Sequence, residues 1–196
     1  MAQRYEVRLS GSGGQGLIIA GIILAEAAGI YDGKQVCQTQ AYGPEARGGA
    51  SKAEVVISDS EIDYPKAIKP DIVLAMNQKA CDSYCFDLKP GGLIIVDGTL
   101  VKDLPTPRAI ALPFTQIARQ ELGKEMVANI VALGALAKIS GVVAVDSLEK
   151  AVLARVPAGT EDLNRRALAA GVAAAAEFLR GRSPQCVDGA EKAWEV

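Results

Sequence analysis

Apolar and polar positions in the first half of the chain fall into short runs punctuated by glycine and proline. Arg4 to Ser10 reads as a strand, Gly11-Ser12-Gly13-Gly14-Gln15-Gly16 interrupts it, and Leu17 to Ala25 reads as an apolar helix. Lys34 to Ala41 is a second predicted strand and Ser51 to Ser58 a third. The loop Tyr42 to Gly49 lies between them, and its three glycines and one proline exclude regular structure. Asp71 to Met76 is a short buried strand, and Asn77 caps a helix expected to run to about Leu88. Pro90-Gly91-Gly92 ends that helix, Leu93 to Asp97 and Arg108 to Leu112 are further strands, and Pro113 opens a helix through Glu121. From Glu125 onward the period is helical, in the segments Met126 to Ser140, Ser147 to Arg155 and Thr160 to Arg180.

Strands alternating with helices predict an α/β fold. We expect a single domain over residues 1–181 with a mostly parallel, Rossmann-like sheet, helices on both faces and extra C-terminal helices, followed by a tail at 182–196. Composition supports this: 49% of the 196 residues are hydrophobic but only 5% aromatic, so the core must be built from Ala, Val, Ile and Leu. A formal charge of −2, from 21 basic and 23 acidic residues spread along the chain, argues against binding nucleic acid or an anionic membrane surface. The residues after Met1 contain no apolar signal core, and the expected location is cytoplasmic.

The chain contains no His, which removes the commonest general base and the usual zinc ligand. Of the four cysteines, Cys81 and Cys85 lie one helical turn apart. No CxxC pair exists, so packing thiols are expected rather than a metal site.

Gly11, Gly13 and Gly16 satisfy GxGxxG between a strand and a helix, where backbone N–H groups and the helix dipole favour an anion. A dinucleotide site also needs an acid at the end of the second strand. That strand carries Val36, Cys37, Gln38, Thr39 and Gln40, and Asp32 lies before it. The glycines therefore read as a tight turn with an anion-binding capacity that Gly14 and Gln15 share. In the second loop, Glu45 and Arg47 stand two apart beside Gly48. They either present a carboxylate and a guanidinium to a ligand or pair with each other to stiffen a turn.

The glycine loop, the Tyr42-Gly43-Pro44-Glu45-Ala46-Arg47-Gly48-Gly49 loop and the Lys52-to-Ile57 strand together resemble the gamma subunit of pyruvate, 2-oxoisovalerate and 2-oxoglutarate ferredoxin oxidoreductases. The likeness continues through Ala75-Met76-Asn77-Gln78, Gly91 to Asp97 and Asn129 to Gly134, and in general look it is nearest the 2-oxoglutarate type, with indolepyruvate enzymes as another form. The resemblance implies a complex with alpha and beta subunits that hold thiamine diphosphate, and a delta subunit with iron–sulfur clusters. Such a complex decarboxylates a 2-oxoacid to an acyl-CoA and reduces ferredoxin. For this chain it implies a structural role, with Gly13 to Gly16 and Arg47 as candidates for contact with coenzyme A. Two other readings stand beside it: a free-standing dinucleotide-binding oxidoreductase, and a pure scaffold subunit without ligand. Dependence on partners also leads us to expect buried apolar surface on the C-terminal helices and at Trp194.

Overall fold

The computed structural model describes residues 3–42 and 50–181. Glu45, Arg47 and Gly48, together with Trp194 and the tail, lie outside the described residues. The strands are β1 (Arg4–Ser12), β2 (Gln35–Tyr42), β3 (Ala50–Ser58), β4 (Ile72–Ala75), β5 (Leu93–Asp97) and β6 (Ile110–Leu112). The helices are α1 (Leu17–Glu26), α2 (Gln78–Tyr84), α3 (Phe114–Gln120), α4 (Ala128–Ser140), α5 (Val145–Arg155) and α6 (Glu161–Gly181). A π-turn (Ala27–Tyr31) prolongs α1, and a 3-10 turn (Glu125–Val127) leads into α4.

The strands form one six-stranded sheet in the order β2-β3-β1-β4-β5-β6. β1, β4, β5 and β6 are mutually parallel, whereas β3 runs antiparallel to both β1 and β2. The two-residue period sorts side chains cleanly. Val7, Leu9, Val55, Ile57, Ile72, Leu74 and Ile95 point into the main core with α1, α3, α4, α5 and α6. Val73, Ala75, Ile94 and Val96 point the other way and pack with Cys81 and Cys85 around α2. All four residues of β4 are buried, as a parallel strand covered on both faces requires. The expected α/β domain with helices on both faces is therefore present, and the C-terminal helices cover one face.

On the α2 face the sheet buries charge. Arg8 and Glu54 are cross-strand partners, and Arg8 Nε donates to Glu54 Oε1 at 2.8 Å. The same guanidinium pairs with Asp87 and reaches the Tyr84 carbonyl at 3.3 Å. Arg8 thereby satisfies the last turn of α2, which accounts for the helix ending at Tyr84 and not near Leu88. Burial works against the charge on Arg8, yet Asp87 and Glu54 outweigh it and hold its pKa above the ordinary value.

Candidate functional site

The carboxyl end of the parallel strands carries the glycine loop. Gly14 (φ 95°) and Gly16 (φ 72°) occupy the left-handed region, and a Cβ on Gly16 would stand 2.6 Å from Asn129 Nδ2. That Nδ2 donates to the Gly16 carbonyl at 3.2 Å, so α4 pins the start of α1. Gly13 is exposed and a Cβ there would meet nothing within 4 Å. Gly11 differs: a Cβ would press on Gln15 Oε1 at 2.6 Å and Leu17 at 2.9 Å.

Gln15 organises the loop. Its Oε1 accepts from Ser12 N (2.8 Å), Ser12 Oγ (3.1 Å) and Asn77 Nδ2 (2.9 Å), while its Nε2 donates to the Met76 carbonyl at 3.2 Å. Asn77 in turn caps α2, its Oδ1 accepting from Ala80 N at 2.8 Å. The sheet order reverses between β1 and β4, and α1 and α2 leave on opposite faces, so the crevice between these strands is the topological switch point where open α/β sheets bind ligands. Here the Gln15 amide bridges that crevice.

Two clefts flank the bridge. One of about 240 Å³ is lined by Gly14, Gln15, Met76, Thr115 and Met126. The other, of about 380 Å³, is lined by Ser12, Ala50, Asn77, Gln78 and Leu100. β2 ends and β3 begins at this same edge, since Ser12 is opposite Ala50 and Tyr42 opposite Ser51.

The carboxylates near these clefts are committed. Asp97, at the end of β5, is fully buried. It accepts from Thr99 N (2.9 Å), Thr115 N (3.1 Å) and the Thr115 hydroxyl, tying β5 to the first turn of α3. Glu125 is held by Arg119 Nε at 2.8 Å. Among the described residues no group of three or more Cys, Asp or Glu is placed to hold a metal ion. Burial pushes both the Cys81 and Cys85 thiols above their ordinary range, Cys85 the further. The site offers amides, hydroxyls and glycine N–H groups. Such groups can hold a ligand or a neighbouring chain, and among the described residues no base and nucleophile meet there.

Position by position, the structure brings Gly11, Gly13, Gly14, Gln15 and Gly16 together at the carboxyl edge. Asn129, Asn77 and Asp97 complete that edge and were not read as site residues from sequence. Asn77 was recognisable as a helix cap but not as the partner of Gln15. Asp32 lies at the opposite end of the sheet, where it accepts from Ala144 N at 3.0 Å and from Ser147 and so caps α5. The strand expected to supply a ribose-binding acid is also displaced, because β3 separates β2 from β1 by two strand spacings, roughly 10 Å.

An open six-stranded sheet of this order, with a glycine loop at its bridged switch point, defines a doubly covered α/β domain of Rossmann-like class. The chain belongs to the pyruvate ferredoxin/flavodoxin oxidoreductase family, whose profile matches residues 6–174, and within it is a gamma-type subunit of a 2-oxoacid:ferredoxin oxidoreductase. It is 52% identical to the 2-oxoglutarate synthase subunit KorC of Methanocaldococcus jannaschii, over 89% of this chain and 96% of that protein. The crystal structure of the keto/oxoacid ferredoxin oxidoreductase gamma subunit from Geobacter sulfurreducens superposes with a TM-score of 0.81 at 52% identity, covering 89% of this chain and 98% of that one. Pyruvate oxidoreductase subunit PORC from Thermotoga maritima superposes with a TM-score of 0.70 at 28% identity, covering 86% and 95%. The chain is thus one component of a multi-subunit oxidoreductase. No helix of the described residues is long and apolar enough to cross a membrane.

Proposed function

We propose that this chain serves a 2-oxoglutarate:ferredoxin oxidoreductase, in which 2-oxoglutarate and coenzyme A yield succinyl-CoA and CO₂ while two electrons pass to ferredoxin. Alpha and beta chains hold the thiamine diphosphate, and a delta chain holds the iron–sulfur clusters. The observation that carries this division of labour is the bridged switch point: the crevice that would hold a cofactor is spanned by Gln15, and the nearby carboxylates are engaged. The described cysteines do not suit a cluster, since Cys81 and Cys85 are buried in the smaller core and Cys37 stands on β2. Likeness to KorC favours 2-oxoglutarate over pyruvate or a branched 2-oxoacid.

This chain's own contribution is to order the assembly and to offer N–H groups of Gly13 and Gly14 to the diphosphate of coenzyme A, with Arg47 supplying a charge. The test is anaerobic purification through a tag on this chain, followed by dye reduction with 2-oxoglutarate, pyruvate and 2-oxoisovalerate. Co-purifying thiamine- and cluster-bearing chains and a preference for 2-oxoglutarate are expected; a chain that purifies alone overturns the assignment. Within the active complex, Gly13→Ala and Arg47→Ala should raise the KM for coenzyme A several-fold with little change in kcat. Unchanged KM in both variants would favour the scaffold reading.

A further inference from the structure

β2 and β6 are the two edges of the sheet, and they are not equivalent. β6 is three residues long, short enough to protect itself. β2 is eight residues long, reads Gln-Val-Cys-Gln-Thr-Gln-Ala-Tyr, and among the described residues pairs only with β3. Soluble proteins blunt such an edge with charged side chains, proline or a bulge, and β2 has no charge, no proline and an unbroken register with β3 from Gln35 to Tyr42. The side-chain hydrogen bond from Gln38 Nε2 to the Thr39 carbonyl, at 3.3 Å, stays within the strand.

The helix beside this edge is independently unusual. α1 is Leu-Ile-Ile-Ala-Gly-Ile-Ile-Leu-Ala-Glu, apolar all round as a fully buried helix would be, yet Ile19 is 46% exposed and Ile30, in the π-turn, 69%. Ile19, Ile22, Glu26 and Ile30 follow one another along one stripe, and the single charge among them, Glu26, is paired with Arg155. Between this stripe and the strand runs an open groove of about 390 Å³, lined by Ile22, Ile30, Val36 and Gln38 and flanked by Glu26 and Lys34. Among the described residues, the unpaired backbone edge and the uncovered apolar stripe are thus contiguous.

We propose that β2 pairs antiparallel with β2 of a second copy of this chain about a two-fold axis through Thr39, making one twelve-stranded sheet. The sequence is self-complementary about that residue. Thr39 faces its equivalent, Gln38 faces Gln40 of the second copy and Cys37 faces Ala41, so no charge opposes a like charge. A two-fold axis perpendicular to the sheet keeps both α1 helices on the same face, where Ile22 and Ile30 of each copy close the groove from either side.

Sedimentation of the full chain tests this. The wild type should run as two chains, while Thr39→Lys and Thr39→Glu should each run as single, folded chains with a cooperative melt, because like charges meet at the axis. Mixing the two variants in equal amounts should restore the two-chain species, and Ile30→Glu should weaken it at least ten-fold. A wild type that stays single at all concentrations overturns the proposal, as do charge variants that remain paired or a folded mixture that does not recover. If the single wild-type chain joins other subunits but Thr39→Lys does not, the edge belongs to a partner strand and self-pairing is likewise overturned.

Discussion

Gln15 is the residue on which the glycine loop turns. Four hydrogen bonds converge on its amide from two chain segments more than sixty residues apart in sequence, and no shorter side chain spans the same crevice. Gln15→Leu keeps much of the volume but strands the half-buried Ser12 N–H, the Asn77 amide and the Met76 carbonyl. Leaving such groups unpaired costs about 1–3 kcal/mol. Urea unfolding should show a loss of that size, whereas Gly13→Ala, with open space at Cβ, should shift stability by less than about 0.5 kcal/mol. The contrast separates loop architecture from ligand contact.

Thiols make a second residue-scale test. Cys37 is partly exposed on β2, while Cys81 and Cys85 are buried and their pKa values raised by that burial. On a Cys186→Ser background, one thiol should react with Ellman's reagent in the folded chain and three in denaturant. Rapid reaction of all three would contradict the packed α2 face.

At the level of elements, α4 and α6 cross at an unusually close distance. A Cβ on Gly171 would stand 1.9 Å from the Val131 carbonyl oxygen, and one on Gly134 2.3 Å from that of Leu168. Backbone lies on the far side in both cases, so neither contact is relieved by a rotamer change and the helices must separate. Alanine would gain about 1 kcal/mol of helix propensity, but overpacking costs of about 1–3 kcal/mol per site or more should dominate. Gly171→Ala is therefore expected to lower the denaturation midpoint despite its better propensity, and an unchanged or raised midpoint would refute the close crossing.

The elements themselves were legible in the sequence because two-residue and 3.6-residue periods are local properties. β1, β3, β4, β5 and the long helices fall within a few residues of where the pattern puts them, and Asn77 caps α2 as its position suggests. Strand order was not legible. The seven residues between Tyr42 and Ala50 are too few for a parallel crossover, so the reversal of β3 against β2 was legible, but nothing between Lys34 and Ser58 announces that β3 also inserts between β2 and β1. The bridging role of Gln15 and the commitment of Asp97 to Thr115 were hidden for the same reason: both depend on which loops the sheet brings side by side. The expectations for Glu45, Arg47, Gly48 and Trp194 concern residues outside the described structure, and that for Arg47 stands as part of the proposed function.

For the whole molecule, the Arg8 cluster links strand pairing to the second face and gives stability a pH dependence. Partial burial pushes the Asp87 carboxyl up, but its hydrogen bond and ion pair with Arg8 outweigh that and hold its pKa below the ordinary carboxylate value. A carboxyl whose folded pKa lies below its unfolded one contributes stability that is fully present above the unfolded value, near 3.9. That contribution fades as pH falls through the lower, folded value. The wild type should therefore hold a constant Asp87 contribution from pH 8 to about pH 5 and lose it on acidification below about pH 4. Asp87→Asn should be less stable than wild type at neutral pH, and the gap should narrow at acid pH. Since Asp87 is half exposed, the gap should also shrink in high salt, where solvent screening of such pairs is strongest. A gap that persisted at acid pH would mean that Asp87 acts through something other than its charge, and no gap at any pH would mean that the buried Arg8–Glu54 pair carries the second face alone with Asp87 only a surface neighbour.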